Sequence, residues 1–163
     1  MAQALSRRSL IFGRRKADLI FPPGVKRSDL GACTGCNACV EHCPTGIIQL
    51  IDDKPSLNFG HGECTFCGVC AENCPEPVFT NGVATSFDHV VSIAPSCLPF
   101  QRVDCQACRD SCPAAAISFR PVRGGPFIPE LASEICTGCG ACIAVCPVGA
   151  VTATPRNREA AYA

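Results

Sequence analysis

The sequence predicts an α+β chain built as two small tandem modules, and three observations carry that prediction. All sixteen cysteines fall into four quartets, with none left over. Three quartets follow C-x-x-C-x-x-C-x-x-x-C-P: Cys33, Cys36, Cys39, Cys43, then Cys64, Cys67, Cys70, Cys74, and later Cys136, Cys139, Cys142, Cys146. The quartets also come in pairs, with 20 residues between Cys43 and Cys64 and 23 between Cys112 and Cys136. Finally, a short apolar run suited to a strand follows each Cys-Pro. Repetition on this scale marks a tandem array. The expected division is a basic N-terminal tail over 1–27, modules over 28–85 and 86–155, and a C-terminal tail over 156–163.

The cysteine run is the one by which bacterial ferredoxins hold 4Fe–4S clusters. It therefore specifies two bacterial ferredoxin-like modules of short strands and short helices around such clusters. Spacings of three place the first three cysteines of a quartet on one tight loop. Gly35, Gly68, Gly138 and Gly140 permit positive φ there, so backbone amides can approach the sulfurs. The proline after the fourth cysteine pushes that cysteine toward an extended conformation and stops the turn. The fourth cysteine thus leaves its own loop and reaches the partner site, as in two-cluster ferredoxins.

The crossing predicts four sites. Site I takes Cys33, Cys36, Cys39 and Cys74, and site II takes Cys64, Cys67, Cys70 and Cys43. Site III takes Cys97, Cys105, Cys108 and Cys146, and site IV takes Cys136, Cys139, Cys142 and Cys112. All sixteen cysteines are thus expected as iron ligands of four 4Fe–4S clusters.

Site III departs from the pattern, because seven residues separate Cys97 from Cys105. Pro99 and Phe100 make that gap a loop. Asp104, Gln106, Arg109 and Asp110 stand where the other quartets offer small residues. One reading is a cluster with altered exposure and hence altered potential. The other is an ordinary or poorly filled site, and if only three clusters form, this is the one to drop.

Zinc is the chemical rival, since four cysteines also bind it tetrahedrally. Zinc sites pair two C-x-x-C hooks across a longer gap, whereas here three cysteines come in one run. Disulfides rank lower, because no export signal is expected and reduced thiols favour ligation. His42, His61 and His89 are read as surface or loop residues, and Asp52-Asp53 as a turn between strands. No catalytic triad, paired carboxylates or nucleotide fingerprint appears, so the chain is expected not to be an enzyme on its own.

Folding follows the same logic. A module of some 60–70 residues buries too little apolar surface to be secure alone. Ile47, Ile48, Leu50, Val78, Phe79, Ile117, Phe119, Ala150 and Val151 are the expected shell around the clusters, and ligation supplies much of the folding free energy.

Charge is neutral in sum but uneven. Arg7, Arg8, Arg14, Arg15, Lys16, Lys26 and Arg27 face Asp18 alone within residues 1–27, a surplus of six. A basic tail on an acidic body suits docking to an acidic protein surface. Nucleic acid is disfavoured because the body would repel phosphate. Apolar stretches are too short for a transmembrane segment, and a cytoplasmic address is expected. Ser6-Arg7-Arg8-Ser9-Leu10-Ile11 looks like a twin-arginine export motif, but the charged Arg14-Arg15-Lys16 follows where an apolar stretch belongs. Leu5, Ser9 and Phe12 could share one face of a short docking helix.

The tail joined to four quartets resembles the NapF family of ferredoxin-type accessory proteins of periplasmic nitrate reductase systems. The likeness lies in Ser6-Arg7-Arg8, Cys64-Thr65-Phe66-Cys67, the stretched run from Cys97 to Cys112, Ile117-Ser118-Phe119-Arg120-Pro121, and Cys136-Thr137-Gly138-Cys139-Gly140-Ala141-Cys142. The resemblance implies a cytosolic protein that binds the precursor of the nitrate reductase catalytic subunit. Its implied role is to help that subunit mature before export, by cluster acquisition or reduction. A plain electron-transfer subunit of a redox complex, or a redox sensor, fits the same cysteines.

Overall fold

The computed structural model describes residues 19–79 and 84–155. The Ser6-Arg7-Arg8 segment, the proposed docking helix and the C-terminal tail lie outside the described residues. Within them, four one-turn helices alternate with six short strands: α1 (Ala38–Glu41), β1 (Ile48–Ile51), β2 (Lys54–Leu57), α2 (Val69–Glu72), β3 (His89–Ile93), α3 (Ala107–Asp110), β4 (Ile117–Arg120), β5 (Ile128–Leu131), α4 (Ala141–Ala144) and β6 (Val151–Pro155). The chain therefore folds as two tandem α+β modules.

Each helix carries the third cysteine of its quartet, and local backbone geometry sets where it starts. Asn37, Gly68 and Gly140 precede α1, α2 and α4 with φ of 70°, 80° and 86°. Gln106 precedes α3 at φ −134°, so the stretched quartet enters its helix differently. Gly35 and Gly138 adopt φ of 72° and 74° between the first two cysteines. Phe66 holds the same place in the second quartet at φ 55°.

The strands form three antiparallel pairs. β1 and β2 make a hairpin in which Ile48 faces Leu57 and Ile51 faces Lys54. Asp52 and Asp53 turn it at φ of 51° and 57°, the left-handed pair that a two-residue hairpin uses. The turn expected from sequence is there. β4 and β5 form the matching hairpin of the second module, with Ile117 opposite Leu131. β3 pairs with β6 from His89↔Pro155 to Ile93↔Val151, joining the start of that module to its end.

A strand follows three of the four Cys-Pro steps, as β1, β4 and β6. After Cys74-Pro75 the described residues show only an isolated bridge between Val25 and Phe79. Pro77 accounts for this exception, because it has no N–H to give to a ladder and its φ is fixed.

Two cores sit under the modules. Ile47, Ile48, Leu57 and Phe59 centre one, and Val90, Val91, Ala116, Ile117 and Val151 centre the other. Of the expected shell, Ile47, Ile48, Val78, Ile117, Ala150 and Val151 are buried, while Leu50, Phe79 and Phe119 are half-buried. Part of the segment read from charge as tail belongs to the first module: Ile20 accepts from the Leu57 amide at 2.7 Å and packs on that core.

Phe87 lies in the second module by sequence yet packs in the first core. It meets Phe59 edge-on at 6.1 Å between ring centroids, Phe66 at 5.2 Å and His89 stacked at 4.7 Å. His89 is a correction to the sequence reading. It is buried in β3, and its Nε2 lies 2.8 Å from the Gly138 carbonyl oxygen.

Candidate metal centres

The fold gathers the cysteines into crossed groups. Cys33, Cys36, Cys39 and Cys74 line one cavity. Cys43, Cys64, Cys67 and Cys70 line a second, and Cys112, Cys136, Cys139 and Cys142 a third. The stretched quartet forms its own group, because the Cys108 thiol lies in the field of Cys97, Cys105 and Cys146. These are the four sets that the spacing predicts.

The gap before Cys105 is a 3₁₀ turn, Leu98–Gln101, which ends at Arg102 with φ 63°. It returns Cys97 to its quartet and buries it. No cysteine of site III is exposed, whereas Cys36 and Cys67 of sites I and II are. Site III is therefore less open than sites I and II, though not as closed as site IV, where only Cys112 is not buried.

All sixteen cysteines are free thiols. Burial first, and then neighbouring cysteine sulfurs, push Cys39 and Cys108 up to about 11 and Cys142 up to about 12. Cys64 and Cys70 also rise to about 11, chiefly through burial. Packed this way, the sulfurs repel one another as thiolates, and a cationic iron core relieves that repulsion.

Among the described residues, no three His, Cys, Asp or Glu side chains converge as they would on a single ion. The sulfurs stand around cavities instead. That spread suits a cluster whose irons each take one thiolate. A zinc tetrahedron draws all four sulfurs to about 2.3 Å from one centre. The donor set thus fits 4Fe–4S clusters.

Donors to sulfur come from the turn after three of the four fourth cysteines, Cys43, Cys112 and Cys146. The Ala116 amide donates to Cys112 Sγ at 3.3 Å and the Ala150 amide to Cys146 Sγ at 3.2 Å. Burial opposes ionisation of Cys43, but the Thr45 hydroxyl, 3.6 Å away, and the Ile47, Thr45 and Ile48 amides hold its thiol below the ordinary value. At site I, Lys54 Nζ donates to the Cys33 carbonyl at 2.6 Å.

The sites adjoin one another in a definite order. Cys70 lies within the field acting on Cys39, and Cys108 within that acting on Cys142, so each module's two sites are neighbours. Between modules, the Cys64 amide donates to the Cys139 carbonyl at 2.8 Å. A Cβ at Gly140 would run into the Phe59 ring, so the second quartet of one module packs against the last quartet of the other. The order is I, II, IV, III. Sequence reasoning found the cysteines but missed this seam of Phe59, Phe87 and His89. The only local hint is Phe66, an aromatic where two other quartets carry glycine.

Residues 26–75 and residues 101–150 each match a family of 4Fe-4S dicluster domains. The ferredoxin-type protein NapF of Escherichia coli K12 is 44% identical over 91% of this chain and 93% of its own length. The chain belongs to the NapF family of ferredoxin-type iron–sulfur proteins. The NapF protein of Haemophilus influenzae is 44% identical over 74% of this chain and 69% of its own. The methylamine utilization ferredoxin-type protein MauM of Methylobacillus flagellatus is 31% identical over 86% and 70%. Among the described residues, no helix is long and apolar enough to cross a membrane.

Proposed function

We propose that this NapF-family chain is a cytosolic iron–sulfur accessory protein that binds the catalytic-subunit precursor of a periplasmic nitrate reductase. It assists maturation of that subunit before export, by cluster acquisition or reduction. The observation that carries this reading is likeness to NapF over 91% of the chain. The sixteen cysteines hold four 4Fe–4S clusters in the crossed arrangement, and site III is filled like the rest. When bound, the clusters supply one-electron chemistry. The chain encloses them and donates amide hydrogen bonds to their sulfurs.

The test is anaerobic co-purification of tagged full-length protein from cytosol. Recovery of the unexported catalytic subunit supports maturation. A truncation should stop at residue 18, because Ile20 packs on the first core. Loss of the bound subunit from that variant, with its iron content unchanged, assigns docking to the basic residues ahead of it.

A second reading has its own support. The sites adjoin in the order I, II, IV, III, with a main-chain hydrogen bond between Cys64 and Cys139 at the middle. That continuity suits an electron-transfer subunit of a redox complex. Recovery of a membrane or soluble redox complex in the same experiment would favour it.

A further inference from the structure

Three of the four fourth-cysteine turns are alike. After Cys43, Cys112 and Cys146, the third following residue is Gly46, Ala115 or Gly149, with φ of 63°, 50° and 62°. The amide of each returns to the fourth cysteine's carbonyl, at 3.1, 3.1 and 3.3 Å. This left-handed step aims the next amide at the cysteine sulfur: Ile47 at Cys43, Ala116 at Cys112 and Ala150 at Cys146. Ala115 adopts the step although a Cβ disfavours it by about 1–2 kcal/mol.

The turn after Cys74 differs because Pro77 occupies that third position. Proline has no N–H to return to the Cys74 carbonyl, and its ring holds φ near −65°. Both requirements of the turn are lost together. The next amide, Val78, donates instead to the Glu76 carbonyl at 2.8 Å, a three-residue turn centred on Pro77. The amide that reaches sulfur in the other three sites is committed elsewhere.

We propose that Pro77 is a positioning residue that lowers the reduction potential of the site I cluster by withholding the fourth-cysteine amide from Cys74. The inference rests on the crossed 4Fe–4S reading above. An N–H donor to a cluster sulfur stabilises the more negative, reduced state, so its absence favours the oxidised one. Charges near site I act in both directions, since Lys54 bonds the Cys33 carbonyl and Glu76 lines the cavity. Neither charge is removed when Pro77 is replaced, and Gly149→Pro repeats the test at a site that holds neither of them.

The experiment is an EPR-monitored redox titration of the anaerobically reconstituted full chain, with iron and sulfide counted first. Cys39→Ser and Cys74→Ser mark the site I cluster by altering its signal. If those two substitutions perturb different clusters, the crossed assignment fails and the turn argument is untouched by that result. Pro77→Gly is expected to raise the midpoint of the marked cluster alone, by about tenfold in its reduction equilibrium, about 59 mV for one electron. Gly149→Pro, the mirror change, is expected to lower the midpoint of the site III cluster by a similar factor. Unchanged midpoints in either variant at full iron content would overturn the proposal. Where a variant loses iron, proton hyperfine spectroscopy of the wild type in deuterated and ordinary water decides. An exchangeable proton coupled at Cys74 as strongly as at the other fourth cysteines would refute it, and a missing one would support it.

Discussion

The two modules use the same cysteine plan but close their ends differently. In the second, β3 and β6 pair over five residues and tie its start to its finish. In the first, the described residues of the corresponding ends meet through one bridge, Val25 with Phe79. Prolines explain the contrast: Pro22 and Pro23 interrupt one side and Pro77 the other, and none can donate to a ladder. Cysteine spacing is thus enough to shape a site, while closure of the fold around it depends on residues outside the motif. The first module leans more on its clusters and on its neighbour.

Removing iron should give the largest effect. Anaerobic chelation is expected to abolish most of the secondary structure, with hydrogen exchange showing residues 26–75 opening before the β3–β6 sheet. Near-native circular dichroism after iron loss would break the comparison at its root. Loading runs the same chemistry backwards. Thiols such as Cys39 and Cys142, raised to about 11 and about 12 by burial and then by the cysteines around each, must shed protons to ligate. Their folded values lie above the unfolded ones, so wherever the sites close ahead of the metal the thiolate is disfavoured at neutral pH. Proton release makes iron uptake strengthen as pH rises toward those values, which reconstitution yield against pH would check.

Phe59→Ala comes next. Its buried ring touches Phe87 and covers Gly140, so the substitution should cost about 3–5 kcal/mol. Because iron loss makes unfolding irreversible, the readout is faster bleaching of visible absorbance in denaturant. A variant that bleached at the wild-type rate would mean the modules are stable without each other. The smallest expected effect is a gain. Ala115→Gly relieves a left-handed backbone at φ 50° and should stabilise the second module by about 1 kcal/mol. Slower bleaching would show it, and no change would mean that the site absorbs the strain at no cost.

Much of the site was legible in sequence because its determinants are local. Spacings of three, a glycine at positive φ and a trailing proline act within a few residues, so the crossed groups could be written down directly. Asp52-Asp53 is equally local, and the structure turns there. What escaped depends on distant pairing. Nothing in the run His89–Ile93 says that it will pair with residues more than 50 positions later, so His89 read as a surface residue when it is buried against Gly138. Phe59 carries no signal in sequence, since only the fold brings it against Gly140. The break in pairing among the described residues after Cys74 was legible in principle, because Pro77 is visible and its geometric consequence is fixed. Family identity came from the whole run of motifs, which spacing alone does not contain.

The aromatic seam has a consequence for how the chain can be divided. Cut between the modules, each half would keep both its quartets and all eight of its cysteines, and on paper would be a complete dicluster unit. The first half would then present the bare face of Phe59 and Phe66 to water, and the second would present Phe87. Each half would be complete as chemistry and unfinished as a solute, prone to find another copy of itself in place of the lost partner. What looks in sequence like a duplication of independent parts has become a single unit of inheritance, expressed and folded as one or not at all.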